Sequence, residues 1–401
     1  MATVGLVLSG GGARAAYQVG ALQGIAEILG EERTPFRVMA GISAGAINTS
    51  ALAIGADSFA AAVARLRDVW MSLTPDRVYR TDLPRLSGIG LQWMKDLATG
   101  GKLGRSSVTH LLDTSPLRKL LEKQLDMSQI GEQVRRGILR GYAVSATNYF
   151  TGSTNTFFDA APGVKTWVRR GRLSIRGPVG VEHVMASAAI PVFFPPVQID
   201  GRYYGDGGVR MTTPISPAIH LGAEKIVAIG IRYQSPDRDT LEANEAKQGA
   251  AVSLSEIAGV MLNSVFLDSL EDDLDRLERM NRTLAFVPDA VRQGLPDQLR
   301  RIPALALKPS QDLGKLASDQ YEAFPLALRH LLRGIGASES GGLDLLSYLA
   351  FQPGYVGRLI ELGRKDTLAR QHEIASFFAQ QAEDFAPPSM LPPGRLPPRS
   401  A

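Results

Sequence analysis

Ser43 stands between two glycines, in Gly41-Ile42-Ser43-Ala44-Gly45, where the apolar run "FRVMAGIS" gives way to the small-residue run "AGAINTSALAIG". A serine there is either a helix cap or a nucleophile. The G-x-S-x-G pattern favours the nucleophile when a strand precedes it and a helix follows. The sharp turn then holds the serine in a strained conformation, and the small neighbours leave its Oγ clear at a helix N-terminus. A second element, "SGGGARAAYQVG", follows the first apolar run directly. Gly10, Gly11 and Gly12 let the backbone turn its N–H groups outward, and a helix starting near Ala13 adds its positive end, so the loop suits an anion, either a phosphate or a transient oxyanion. Gly10-x-Gly12-x-x-Ala15 also fits a dinucleotide fingerprint, but the second strand ends in Gly41-Ile42-Ser43 with no carboxylate to hold a ribose. The GK[ST] element of a phosphate-binding loop is missing as well.

A serine nucleophile needs a base. Asp206, in "YYGDGGVRMTTP", follows an aromatic strand, and Gly207 and Gly208 permit its carboxylate to turn inward. Alone, Asp-Gly-Gly is an ordinary turn. Its position after "MASAAIPVFFPPV", whose small residues and prolines suggest a tightly packed helix leading into a fixed loop, makes the pairing with Ser43 more specific. A Ser…Asp…His triad would need a histidine beyond Asp206; His220 falls in the helix-like "SPAIHLGAEKI" and reads as structural, and neither His330 nor His372 sits in a loop just beyond a late strand. The five histidines have no HxxxH or HExxH spacing and cysteine is absent, so no metal site and no disulfide are expected.

The elements that must position these residues alternate in the N-terminal half. "TVGLVLS" and "FRVMAGIS" read as short buried strands around the helical "ALQGIAEIL", which is βαβ grammar. Further strands are expected at "ILRGYAVSATNY", "TNTFFDA" and "EKIVAIGIRY", with a hairpin in "VQIDGRYYGDGG" turning at Asp200-Gly201. The economical fold is α/β: a parallel or mixed sheet flanked by helices, with the glycine loop and Ser43 at its carboxyl edge. Residues 77–104, with Leu91, Trp93 and Met94, loosen into a segment that reads as a cap or a surface excursion. Residues 233–248 read as a polar loop, and residues 249–384 as a helix-rich part with a strand near 303–308. Leu254, Ile257, Met261, Leu267, Leu270, Leu274 and Leu277 recur at helical spacing and suggest one long amphipathic helix. Residues 385–401 are proline-rich and expected to be disordered.

At this point the set Gly10-Gly11-Gly12-Ala13-Arg14, Gly41-Ile42-Ser43-Ala44-Gly45, "ASAAIPVFFPPV" and Asp206-Gly207-Gly208 resembles the patatin-like phospholipase family, in family order over roughly residues 3–232. The resemblance implies a three-layer α/β/α fold with a central, mostly parallel sheet, and a helical C-terminal extension beside the 1–232 core. It implies a Ser43–Asp206 dyad without a catalytic histidine and an oxyanion hole drawn from Gly10, Gly11, Gly12, Ala13 and Arg14. It also implies hydrolysis of fatty acyl esters of lipids without calcium or any other cofactor. Arg14 either orients the glycine loop through backbone hydrogen bonds or meets a substrate phosphate. An acyltransferase using the same acyl-enzyme and a non-catalytic lipid- or nucleotide-binding protein are the alternatives.

Composition bounds the partners. Forty-four per cent hydrophobic and 21% charged residues over 401 positions describe a folded globular chain, and a net charge of +4 does not indicate nucleic acid. No apolar run approaches the roughly 20 residues needed to span a bilayer. Arg14 interrupts the N-terminal apolar stretch, which lacks a signal-peptide pattern, so a cytoplasmic chain with transient membrane-surface contact is expected. Lys165, Arg169, Arg170, Arg172 and Arg176, interleaved with Trp167, form a basic run that either meets anionic headgroups or is a solvated face.

Overall fold

A computed structural model of the chain describes residues 2–30, 32–80, 110–234, 254–266, 268–288, 291, 299–334 and 343–381. The first two strands, β1 (Val4–Leu8) and β2 (Val38–Ile42), are buried along their whole length. Strands covered on both faces need no polar alternation, which is why both read as continuous apolar runs. They lie parallel, from Gly5 beside Val38 to Leu8 beside Gly41. A 3-10 turn over Gly12–Ala15 runs into α1 (Ala16–Leu29) to connect them.

The sheet grows outward from this pair. On one side β9 (Lys225–Ile229) and then β10 (Ala304–Leu307) add in parallel; on the other, β3 (Gly141–Asn148) lies parallel to β2. Beyond β3 the sheet becomes mixed. β4 (Thr154–Ala160) folds back on β3 as a hairpin, and β5 (Val168–Arg169) and β6 (Arg172–Arg176) finish that edge. The hairpin of β7 (Val197–Ile199) and β8 (Arg202–Asp206) lays β8 antiparallel on the end of β3. Its turn falls at Asp200 and Gly201, both at positive φ, 48° and 75°, as a two-residue hairpin requires.

Side chains alternate across the sheet into two cores. Leu6, Leu8, Met39, Tyr142 and Val144 face the larger one, shared with α1, α2 (Ala44–Ile54) and α3 (Phe59–Met71). On the way to β3, α4 (Pro75–Val78), α5 (Ser115–Gln124) and α6 (Ser128–Arg135) lead along this side, and α7 (Val181–Ser187) packs on β3. Val7, Ala40 and Ala143 face the smaller core with α8 (Ser216–His220) and Trp167. The chain is therefore a three-layer α/β/α structure with a mostly parallel central sheet and a helical C-terminal region.

That region starts with α9 (Leu254–Phe266) and α10 (Asp268–Ala285) and ends with α11 (Leu326–Gly334), α12 (Leu343–Leu349), α13 (Pro353–Leu368) and α14 (Gln371–Ala379). α13 lies directly on α1. A Cβ at Gly20 would sit 1.8 Å from the Ile360 carbonyl, and one at Gly363 would sit 2.1 Å from that of Tyr17, so the two backbones touch through glycines that would otherwise only weaken a helix.

Two expectations need correction. The stretch from 254 to 285 is two helices rather than one, and its apolar stripe is not continuous. Leu270 and Leu277 are buried and Leu274 partly so, but Ile257 and Met261 are 48% and 64% exposed. α9 turns its small residues inward instead: Ser255 is buried, and a Cβ on Gly259 would lie 3.1 Å from that of Asp344. Close helix approach through small residues leaves no apolar signature to read. Trp167, in turn, is buried between Phe158 and His220, stacked on the latter at 4.6 Å, so it does not accompany the arginines to the surface. Apart from residues 77–80, the cap expected at 77–104 lies outside the described residues. So do nearly all of the polar loop, from 235, and the proline-rich tail.

Candidate active site

Ser43 occupies the turn between β2 and α2 with φ 55° and ψ −130°. A non-glycine residue held there carries strain of about 1–3 kcal/mol, which only tight surroundings sustain. The flanking glycines supply them: a Cβ on Gly41 would meet Thr49 Oγ1 at 2.2 Å, and one on Gly45 would meet the Leu8 carbonyl at 2.3 Å. Although Ser43 holds the N-cap position of α2, its side chain makes no capping bond. Its hydroxyl donates instead to Asp206 Oδ2 at 2.6 Å. The acceptor is a carboxylate, not an imidazole.

Asp206 ends β8 and is fully buried. Its Oδ1 accepts the Gly208 N–H at 2.8 Å, its carbonyl accepts the Thr147 hydroxyl, and its own N–H donates to the Ala189 carbonyl. Gly207 must be small because a Cβ there would lie 2.1 Å from the Ser145 carbonyl. Burial pushes the carboxyl up to about 7, against the pull of the hydrogen bonds from Ser43 and Gly208. A carboxylate near neutrality is matched to accepting a proton at physiological pH.

Gly10 is buried just beyond β1; Gly11 and Gly12 follow at φ 150° and 55°, and Ala13 and Arg14 lie in the 3-10 turn. Gly12, Ser43 and Ala44 share the wall of one narrow cleft. Two helical N-termini therefore reach the same space, and their partial positive charge suits an oxyanion. Apart from Ser43 the lining side chains are apolar, among them Ile47, Leu66, Trp70, Leu117, Leu121 and Phe351. Such a lining is chemically suited to hydrocarbon beside a hydroxyl.

Arg14 holds the glycine loop through its backbone and also through its side chain. Its Nε donates to Ser347 Oγ at 2.7 Å, Nη2 to Asp344 Oδ1 at 2.6 Å and Nη1 to Asn263 Oδ1 at 3.2 Å, and the guanidinium lies 4.5 Å over the Tyr348 ring. Its backbone N–H donates to the Gly11 carbonyl at 3.1 Å, within the loop, while its side chain turns away from the cavity and fastens the glycine loop to α9 and α12. The contact is close, since a Cβ on Gly12 would fall 2.2 Å from the Tyr348 carbonyl.

Several residues at the site carried no recognisable signal. Ser187 Oγ accepts the Ser43 N–H at 2.9 Å and donates to the Ser145 carbonyl, holding the turn from beneath. Asn48 accepts the Trp70 indole N–H and donates to Gln18 and the Ala15 carbonyl, which links α2, α3 and the start of α1. Ser187 lies in the small-residue run before Asp206, the one hint available. Among the described residues, no group of three or more metal-ligating side chains occurs.

The family profile described as "Patatin-like phospholipase" matches residues 6–219. No curated protein matches the chain. Solved structures similar in fold include VipD from Legionella pneumophila, 16% identical, with 93% of this chain and 67% of that one covered and a TM-score of 0.38. Another is human GIVD cytosolic phospholipase A2 in complex with methyl gamma-linolenyl fluorophosphonate, 13% identical, with 94% of this chain and 59% of that one covered and a TM-score of 0.39. This chain thus spans about three fifths of the human enzyme's length.

Proposed function

The chain belongs to the patatin-like phospholipase family, more than half of it lying within the match, and from that membership we propose that it is a serine lipid acyl hydrolase working through Ser43 and Asp206. The observation that carries this reading is the 2.6 Å bond from a strained serine hydroxyl to a buried carboxylate, made at the wall of an apolar cavity. Ser43 Oγ attacks the carbonyl carbon of a fatty acyl ester while its proton passes to Asp206. The oxyanion is held by the amides of Gly11 and Gly12. As the tetrahedral intermediate collapses, the protonated Asp206 returns its proton to the departing alkoxide and the acyl group stays on Ser43. Asp206 then takes a proton from water, which attacks the acyl-enzyme carbonyl, and as this second intermediate collapses Asp206 gives the proton back to Ser43 Oγ and the fatty acid is freed.

The hydrocarbon tail occupies the cavity walled by Ile47, Leu66, Trp70 and Leu121, which favours fatty acyl esters over small polar ones. No step calls on a metal, so hydrolysis proceeds in EDTA. The reading is tested by incubating the chain with phosphatidylcholine and with lysophosphatidylcholine in EDTA and following free fatty acid. Release by the wild type and none by Ser43→Ala is expected. Equal release by both would overturn the assignment.

A further inference from the structure

β3 outruns the rest of the parallel sheet. Ile42, the last residue of β2, lies beside Ser145, and β3 continues through Ala146, Thr147 and Asn148, about 10 Å further at roughly 3.3 Å per residue. The β3–β4 turn therefore projects from the carboxyl edge, the edge at which Ser43 stands. β8 comes in beside it: Asn148 pairs with Tyr204, and the Tyr149 N–H donates to the Tyr203 carbonyl. At this rim Phe150 is 71% exposed and Tyr203 42% exposed, and their rings meet edge to face at 6.1 Å. Exposed aromatic pairs of this size on a projecting turn usually serve an interface.

The surroundings of the pair are basic. The Thr154 N–H donates to the Gly171 carbonyl, which brings the β5–β6 turn, with exposed Arg169 and Arg170, against the β3–β4 turn. Arg202 opens β8, and Arg210 donates through Nε to the Gly152 carbonyl. Across residues 149–155, 165–177 and 200–210, Asp200 is the sole exposed acid. Aromatic side chains on a turn flanked by arginine-bearing turns are complementary to a surface with apolar depth beneath negative headgroups.

We propose that this rim, Phe150 and Tyr203 with Arg170 and Arg202 beside them, docks the protein on an anionic phospholipid bilayer with its carboxyl edge towards the lipid. The inference rests on the lipid-ester reading of Ser43 and Asp206, since an enzyme whose substrate stays in a membrane must seat itself there. The aromatic rings enter the interface and the arginines meet lipid phosphates, so binding weakens as salt screens the charge.

The test uses the full chain carrying Ser43→Ala, so that lipid is not consumed, in co-sedimentation with vesicles of phosphatidylcholine alone or mixed with phosphatidylglycerol. Binding to the mixed vesicles is expected, falling with added salt. Phe150→Ser with Tyr203→Ser, and separately Arg170→Glu with Arg202→Glu, are each expected to lower partitioning about ten-fold or more. On the Ser43 wild-type background, the same variants should slow hydrolysis of vesicle lipid while leaving a soluble short-chain ester unaffected. If the aromatic pair fails to fold, the charge-reversal pair decides. Chain that ignores phosphatidylglycerol, or charge-reversed chain that binds as wild type does, overturns the proposal. Vesicle binding is read without turnover; a chain that docks through these residues yet hydrolyses neither ester would refute the catalytic reading and leave the docking surface standing.

Discussion

The Ser43 hydroxyl and the Asp206 carboxylate, 163 positions apart, meet at 2.6 Å with neither exposed by more than 1%. β2 delivers one and β8 the other, and the strand between them, β3, pairs with both, so the distance is fixed by sheet register rather than by a flexible loop. Pre-set geometry of this kind lowers the cost of bringing nucleophile and base together.

Asp206 accepts the proton only when ionised, and burial pushes its carboxyl up to about 7. For a soluble ester, kcat/KM should therefore rise with pH as a single ionisation centred near 7 and level off above about 8. A flat profile between about pH 5.5 and 8.5 would contradict the assignment.

The same burial acts on stability with the opposite sign. The folded chain holds the Asp206 proton more tightly than the unfolded chain does, so stability present below about pH 4 is lost as pH rises towards 7. Three pH units correspond to at most about 4 kcal/mol. In urea unfolding, Asp206→Asn should gain on the wild type between pH 5 and pH 8. Asp273, also pushed up by burial, to about 6, is present in both proteins and cancels in the difference.

Arg14 is held from α12 by Asp344, whose own side chain is 43% exposed. Asp344→Asn should let the glycine loop shift and lower kcat about ten-fold with KM little changed, since loss of a whole oxyanion donor costs more than that. Asp319→Asn, which breaks the exposed pair with Arg358 in the same region, serves as the control and should leave both constants unchanged.

Ile47 lines the cavity beside Ser43. Ile47→Trp should shorten the space and reduce the ratio of kcat/KM for long-chain over butyryl esters about ten-fold or more, as a filled pocket rejects added methylenes. An unchanged ratio would place the acyl chain elsewhere.

The turns that carry the candidate site's residues were legible because their geometry is local. Gly41 and Gly45 are demanded by contacts within the turn itself and with β1, and Gly207 by a backbone within 2.1 Å, so each leaves a mark in the sequence. What closes the site from the C-terminal side was not legible. Asp344 and Ser347 are ordinary residues of one helix and Phe351 follows just after it, and only tertiary packing carries them to Arg14 and the cavity, about 330 positions from the glycine loop. The exposed Ile257 and Met261 misled for the complementary reason. Periodicity reports apolar residues, whereas α9 docks through Ser255 and Gly259.

The most direct measurement of the central claim is fluorophosphonate labelling followed by peptide mass spectrometry on the wild type, Ser43→Ala and Asp206→Asn. The account predicts a single adduct on Ser43, absent in Ser43→Ala and forming far more slowly in folded Asp206→Asn. Wild-type protein that stays unlabelled at Ser43, or labelling indifferent to Asp206, would contradict it.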